Sequence, residues 1–124
     1  MRFDIISIFP ESLEGYAQAS ILKRAQKDGK IDIQLHQLRD WTSDKHHLTD
    51  DTPYGGGAGM VMKVEPFDLA VTALKEAEPA KKTRVILLSA KGKRFVQGDA
   101  KRLTEYDRLI LLCGRYEGVD ERVA

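Results

Sequence analysis

Ten consecutive residues near the end of this 124-residue chain concentrate groups able to do chemistry: Cys113-Gly114-Arg115-Tyr116-Glu117-Gly118-Val119-Asp120-Glu121-Arg122. Two glycines, an aromatic ring and charges of both signs follow directly on the most apolar run of the chain. Gly114 and Gly118 permit a positive φ or the close approach of a ligand to the backbone. An ordinary strand-to-helix turn explains the same residues equally well. A second segment, Asp50-Asp51-Thr52-Pro53-Tyr54-Gly55-Gly56-Gly57-Ala58-Gly59-Met60, sets four glycines in five positions. Such a backbone could wrap a planar or phosphorylated ligand. A flexible linker is the alternative, but Met60-Val61-Met62 follow at once and favour a functional loop. Asp50 and Asp51 could hold a hydrated magnesium ion or accept from the edge of a base, and loop capping explains them equally well. The third segment is Ser89-Ala90-Lys91-Gly92-Lys93-Arg94.

Several familiar chemistries are absent. The glycine tract lacks the terminal Gly-Lys-Ser/Thr of a phosphate loop, and G-x-G-x-x-G occurs nowhere, so dinucleotide binding has no support. His46 and His47 are adjacent and cannot both face one metal on a regular element. With His36 distant and Cys113 the one cysteine, no zinc site is expected. Ser89 lacks the glycine-flanked elbow of a serine hydrolase. Cys113 ends an apolar run and reads as a small buried hydrophobe rather than a nucleophile.

The elements that must position these segments follow from hydrophobic periodicity. Met1–Phe9 is β-branched and aromatic, is stopped by Pro10, and reads as a buried strand. Pro10 suits a helix start, and Glu11 and Glu14 suit its dipole. The helix runs to about Asp28 and ends at Gly29; Gly15 and Ser20 weaken its middle, so two short helices are the alternative. Ile31–Leu38 reads as a second strand. From Arg39 to Lys63 periodicity collapses over about 25 residues, longer than an idle connection. Phe67, Ala70, Val71, Leu74 and Ala77 then mark a half-buried helix that Pro79 ends. Arg84–Ser89 and Arg108–Cys113 are near-continuous apolar runs, expected of central strands covered on both faces. A helix from about Phe95 to Thr104 separates them. This alternation specifies an α/β domain with a mostly parallel sheet and flanking helices. Ligands of such sheets bind outside the carboxyl ends of the strands, where two of the three segments lie.

The length suits one domain with a real core. A single cysteine excludes a disulfide framework. No apolar run approaches the roughly 20 residues of a membrane span, and Asp4 stands too early for a signal peptide, so no membrane association and a cytoplasmic location are expected. The formal net charge of +1 hides an asymmetry. Residues 1–79 carry 9 Lys and Arg against 13 Asp and Glu, whereas residues 80–124 carry 11 against 6. The basic part could face phosphates, and solvated helix faces explain it as well.

The glycine tract and the Cys113–Arg122 run together resemble the bacterial tRNA (guanine-N1)-methyltransferases, the TrmD family of knotted SPOUT enzymes. Further agreement lies in Ile6-Ser7-Ile8-Phe9-Pro10, in Arg39-Asp40 through Lys45-His46, and in Leu88-Ser89. The resemblance covers the whole chain. It implies a SPOUT-type (trefoil-knot) domain that moves a methyl group from S-adenosylmethionine to N1 of the guanosine immediately 3′ of the tRNA anticodon, working as a homodimer with shared sites. It implies that Leu88 and Ser89 line the adenine pocket, that Gly114, Tyr116 and Gly118 form the cofactor loop, and that Glu117 lies near the transferred methyl. Asp50, Asp51 and Gly59 match the loop that receives guanosines; Arg115 and Arg122 could serve phosphate or carbonyl contacts, with surface ion pairs to Glu117 or Glu121 as the alternative. The family has Pro-Gln-Gly after Leu-Ser, where Ala90-Lys91-Gly92 stand here.

The family continues for roughly as many residues again. The resemblance therefore implies that the catalytic Asp, which serves as general base, lies beyond Ala124, the last residue of this chain. The threading that closes the knot and the C-terminal tRNA-binding domain are expected beyond Ala124 as well. The chain is read as the N-terminal part of the SPOUT domain. It is expected to methylate poorly or not at all; the alternative is a non-catalytic fragment that binds S-adenosylmethionine or nucleotide only. A receiver-like regulatory domain fits the length and alternation, but Phe9-Pro10-Glu11 and Ser89-Ala90 stand where its acidic residues belong. A magnesium requirement stays open.

Overall fold

The computed structural model describes residues 1–42, 50–51, 61–62, 64–114 and 118–119, with 50–51, 61–62 and 118–119 as backbone. Four six-residue strands, β1 (Arg2–Ser7), β2 (Asp32–Gln37), β5 (Thr83–Leu88) and β6 (Arg108–Cys113), form a sheet in the order β2-β1-β6-β5. Every neighbouring pair in it is parallel. Parallel neighbours need crossovers, which the helices α1 (Glu11–Ala17), α2 (Ser20–Lys27), α3 (Val64–Ala77) and α4 (Gln97–Leu103) supply. Two-residue strands β3 (Asp50–Asp51), β4 (Val61–Met62) and β7 (Gly118–Val119) form a separate small sheet. No helix among the described residues is long and apolar enough to cross a membrane.

Period-two alternation decides which side chains enter the core. Ile6 of β1 and Ile110 and Leu112 of β6 share one face with Val85 and Leu87 of β5. That face is sealed by Phe67, Ala70 and Leu74 of α3, spaced i, i+3, i+7, and by Leu38 of a short 3₁₀ turn, Leu38–Trp41. Leu109 and Phe3 point to the opposite face, where Ala100 and Leu103 of α4 stand across an open groove.

The first crossover is two helices. Ser20 sits in the left-handed region at φ 48°, which breaks the helical path between Ala17 and Ser20. Gln26 braces the break by donating from Nε2 to the carbonyls of Ala17 (2.7 Å) and Leu22 (3.2 Å). Gly29 ends α2 at φ 72°. The Lys30 N–H reaches the Ala25 carbonyl and the Gly29 N–H that of Gln26, the paired bonds of a glycine-capped terminus.

Charges inside this apolar frame are paired. Asp4, fully buried in β1, accepts from Arg2 through both carboxylate oxygens and from His36 Nε2 at 2.7 Å. Arg108 is 1% exposed, donating from Nη1 to the Leu74 carbonyl (2.8 Å) and from Nε to Thr83 Oγ1 (3.0 Å). These bonds tie β6 to the last turn of α3.

Two expectations need correction. The Arg84–Ser89 run was expected to be a central strand; β5 is instead the outermost strand of its sheet, half-buried, with Leu88 51% exposed. A continuous apolar run reports covered faces, not a neighbour along each edge. The stretch from Arg39 to Lys63 is also not wholly without regular structure, since it holds the end of the 3₁₀ turn and strands β3 and β4.

Candidate active site

The register of β5 on β6 pairs Leu88 with Cys113. Ser89 and Gly114 are therefore the first residues past two adjacent strands, at the same rim of the sheet. The turn after β5 is closed locally: the Gly92 N–H donates to the Ser89 carbonyl (3.1 Å), and the Lys91 N–H donates to Ser89 Oγ (3.1 Å). A Cβ at position 92 would stand 3.2 Å from that carbonyl, so glycine suits the tight return. Leu88 presents an exposed apolar side chain beside this turn, and Gly114 is half-buried. The rim thus offers an exposed apolar side chain, a hydroxyl and closely spaced backbone groups.

The small sheet joins the other two segments. Asp50 and Asp51 pair antiparallel with Met62 and Val61, and Val61 and Met62 pair in parallel with Gly118 and Val119. The acidic pair before the glycine tract, the apolar pair after it and Gly118-Val119, in the middle of the Cys113–Arg122 run, thus lie on three neighbouring strands. Gly59, Arg115, Tyr116 and Glu117 fall outside the described residues. So does Ala124. The structure therefore brings Leu88, Ser89 and Gly114 to one rim, and it brings Asp50 and Asp51 into one sheet with Gly118.

Burial pushes the Cys113 thiol up, which disfavours the thiolate and agrees with a packing role. Among the described residues no three His, Cys, Asp or Glu side chains converge as metal ligands. Asp99 of α4 is an acid that the sequence reading did not single out. Its side chain is 10% exposed and accepts from Lys93 Nζ (3.0 Å), Arg102 Nη2 (3.3 Å) and the Val96 N–H (3.1 Å). The Val96 N–H foremost, then Lys93 and Arg102, hold its carboxyl below the usual carboxylate range. An acid at the third position of a short helix was the signal available.

A cavity among the described residues lies elsewhere. A groove of about 790 Å³, lined by Phe3, Phe95, Leu103, Tyr106 and Leu109 among others, opens at the amino ends of β1 and β6. Ligands of parallel sheets bind at the carboxyl ends, so the rim and not the groove is the candidate site.

A four-stranded, all-parallel sheet with flanking helices and a tight turn at the carboxyl end of β5 defines the class of fold, α/β. The family described as tRNA (Guanine-1)-methyltransferase TrmD matches residues 1–124, and the chain belongs to that family. A tRNA (guanine-N(1)-)-methyltransferase of Chloroflexus aggregans is 54% identical over 124 residues, covering 99% of this chain and 48% of the relative. One of Geobacter sulfurreducens is 50% identical over 123 residues, covering 99% and 49%. The crystal structure of the tRNA (m1G37) methyltransferase from Aquifex aeolicus superposes with a TM-score of 0.86 at 36% identity, covering 99% of this chain and 55% of that one. The chain spans about half the length of the curated relatives it matches.

Proposed function

We propose that the chain supplies the methyl-donor site, and part of the acceptor site, of an enzyme that methylates N1 of the guanosine immediately 3′ of a tRNA anticodon, with S-adenosylmethionine as donor. The observation that carries this reading is the registered adjacency of Leu88-Ser89 and Cys113-Gly114. The family match and the joining of Asp50-Asp51 to Gly118 through β4 support it. In this reading Leu88 and Ser89 hold the adenine end, while Gly114, Tyr116 and Gly118 follow the rest of the donor and Glu117 borders the methyl. Asp50, Asp51, Gly59 and Arg115 receive the guanosine. The sulfonium of the donor supplies an electrophilic methyl without a metal. Guanine N1 bears a proton, which a base must remove, and a cation such as Arg115 must steady the enolate oxygen that develops. The target base leaves its stack at a cost of a few kcal/mol. Arg94 and Lys101 are exposed and without an ion-pair partner among the described residues, so they are available to tRNA phosphates. Two copies sharing their sites complete the proposal.

Incorporation of radiolabelled methyl into unmodified tRNA tests it. The expected result is slow incorporation that disappears when adenosine replaces the guanosine 3′ of the anticodon. Incorporation indifferent to that replacement would refute the substrate assignment. Donor binding without transfer would reduce the chain to a binding domain.

A further inference from the structure

The turn after β5 runs through Ala90-Lys91-Gly92, where no proline presets a backbone angle. Two bonds onto Ser89 close the turn as far as Gly92. Beyond it the chain is gripped by Asp99. An acid at the start of a helix ordinarily reaches back to a backbone N–H and across to a basic residue one turn on, as Asp99 does with Val96 and Arg102. Those roles leave the contact with Lys93, six residues upstream, unexplained. Lys93 lies in the connection rather than on the helix, and its ammonium shares Oδ1 with the Arg102 guanidinium. One carboxylate thus joins a loop residue, the helix entry and the helix end. We propose that Asp99 is a positioning residue: by holding Lys93 it fixes the Ser89–Gly92 turn in the shape that walls the nucleoside end of the methyl donor. This rests on the methyl-donor reading of the rim.

Lys93→Met tests it, because it removes the ammonium while leaving the bonds of Asp99 within α4 intact. Two measurements on the 124-residue chain separate the inference from the reading beneath it: amide hydrogen exchange at Lys91 and Gly92, and calorimetric affinity for S-adenosylhomocysteine, the demethylated donor. The variant is expected to melt within about 2 °C of the parent, to exchange both amides faster by about twofold to fivefold, and to bind the ligand more weakly by a similar factor, the scale of one exposed ion pair. Asp99→Asn should reproduce both changes, and Lys93→Arg should restore them. Unchanged exchange in Lys93→Met would overturn the grip. Faster exchange at unchanged affinity would overturn its role in binding. If the parent chain takes up no ligand at millimolar concentration, the methyl-donor reading and the binding role fall together, while exchange still decides whether Lys93 holds the turn.

Discussion

Phe67→Ala is expected to destabilise the fold by about 3–5 kcal/mol. Phe67 is 1% exposed on α3, where it packs with Leu38 and with the sheet face formed by Ile6, Ile110 and Leu112. Truncation removes the ring's transfer free energy and leaves a cavity that a sheet and a helix, both rigid, close only in part. Total stability of a domain this size is roughly 5–15 kcal/mol, so the loss runs from about a fifth to the whole of it. The consequence reaches the small sheet, because α3 begins at Val64, two residues after the strand that links Asp50-Asp51 to Gly118. Urea denaturation measures the effect, and Phe67→Leu, which keeps most of the volume, should cost under about 2 kcal/mol. A loss below about 1 kcal/mol for the alanine variant would mean that α3 does not seal the core.

Asp4→Ala should be comparably severe, at about 3–5 kcal/mol, for an electrostatic reason. It strips the acceptor from the Arg2 guanidinium and from His36 Nε2 at a position with no solvent access. Burial alone would push the Asp4 carboxyl up; hydrogen bonds from His36 and Arg2 reverse this and hold it below the usual carboxylate value. A carboxyl depressed in the folded state contributes stability above its unfolded pKa, near 4, and that contribution is lost as pH falls through the lower folded value. Thermal melts between about pH 5 and pH 2 should therefore show the parent losing stability on its acid limb, with Asp4→Asn less stable at neutral pH and flatter below pH 4. Parallel pH curves for the two proteins would show that the pair does not carry the acid sensitivity.

The parallel sheet was legible because its strands are six residues long and α3 buries a repeating stripe; β1, β6 and α3 fall where periodicity placed them. The splitting of the first crossover was also readable, since Gly15 and Ser20 interrupt the helical stripe and Ser20 takes the left-handed conformation. What escaped has physical causes. Two-residue strands such as Asp50–Asp51 and Val61–Met62 contain no period, so the small sheet is set by pairing across distant segments rather than by any local pattern. The place of β5 at the sheet edge is a matter of hydrogen-bonding order, about which an apolar run is silent. At the candidate site, the adjacency of Ser89 and Gly114 followed from the rule for parallel sheets. Asp99 did not, because one acid among seven helical residues looks the same whether it grips a loop or faces water. Asp4 carried a usable signal, a charge within the apolar run of a buried strand, which in a folded protein calls for a partner.

If the turns leaving β5 and β6 together hold the methyl donor, as proposed, amide shift mapping of the isotope-labelled chain during titration with S-adenosylhomocysteine will show saturable shifts concentrated at Leu88–Gly92 and Cys113–Gly114. Shifts confined to the opposite edge, around Phe3, Phe95 and Leu103, would contradict it.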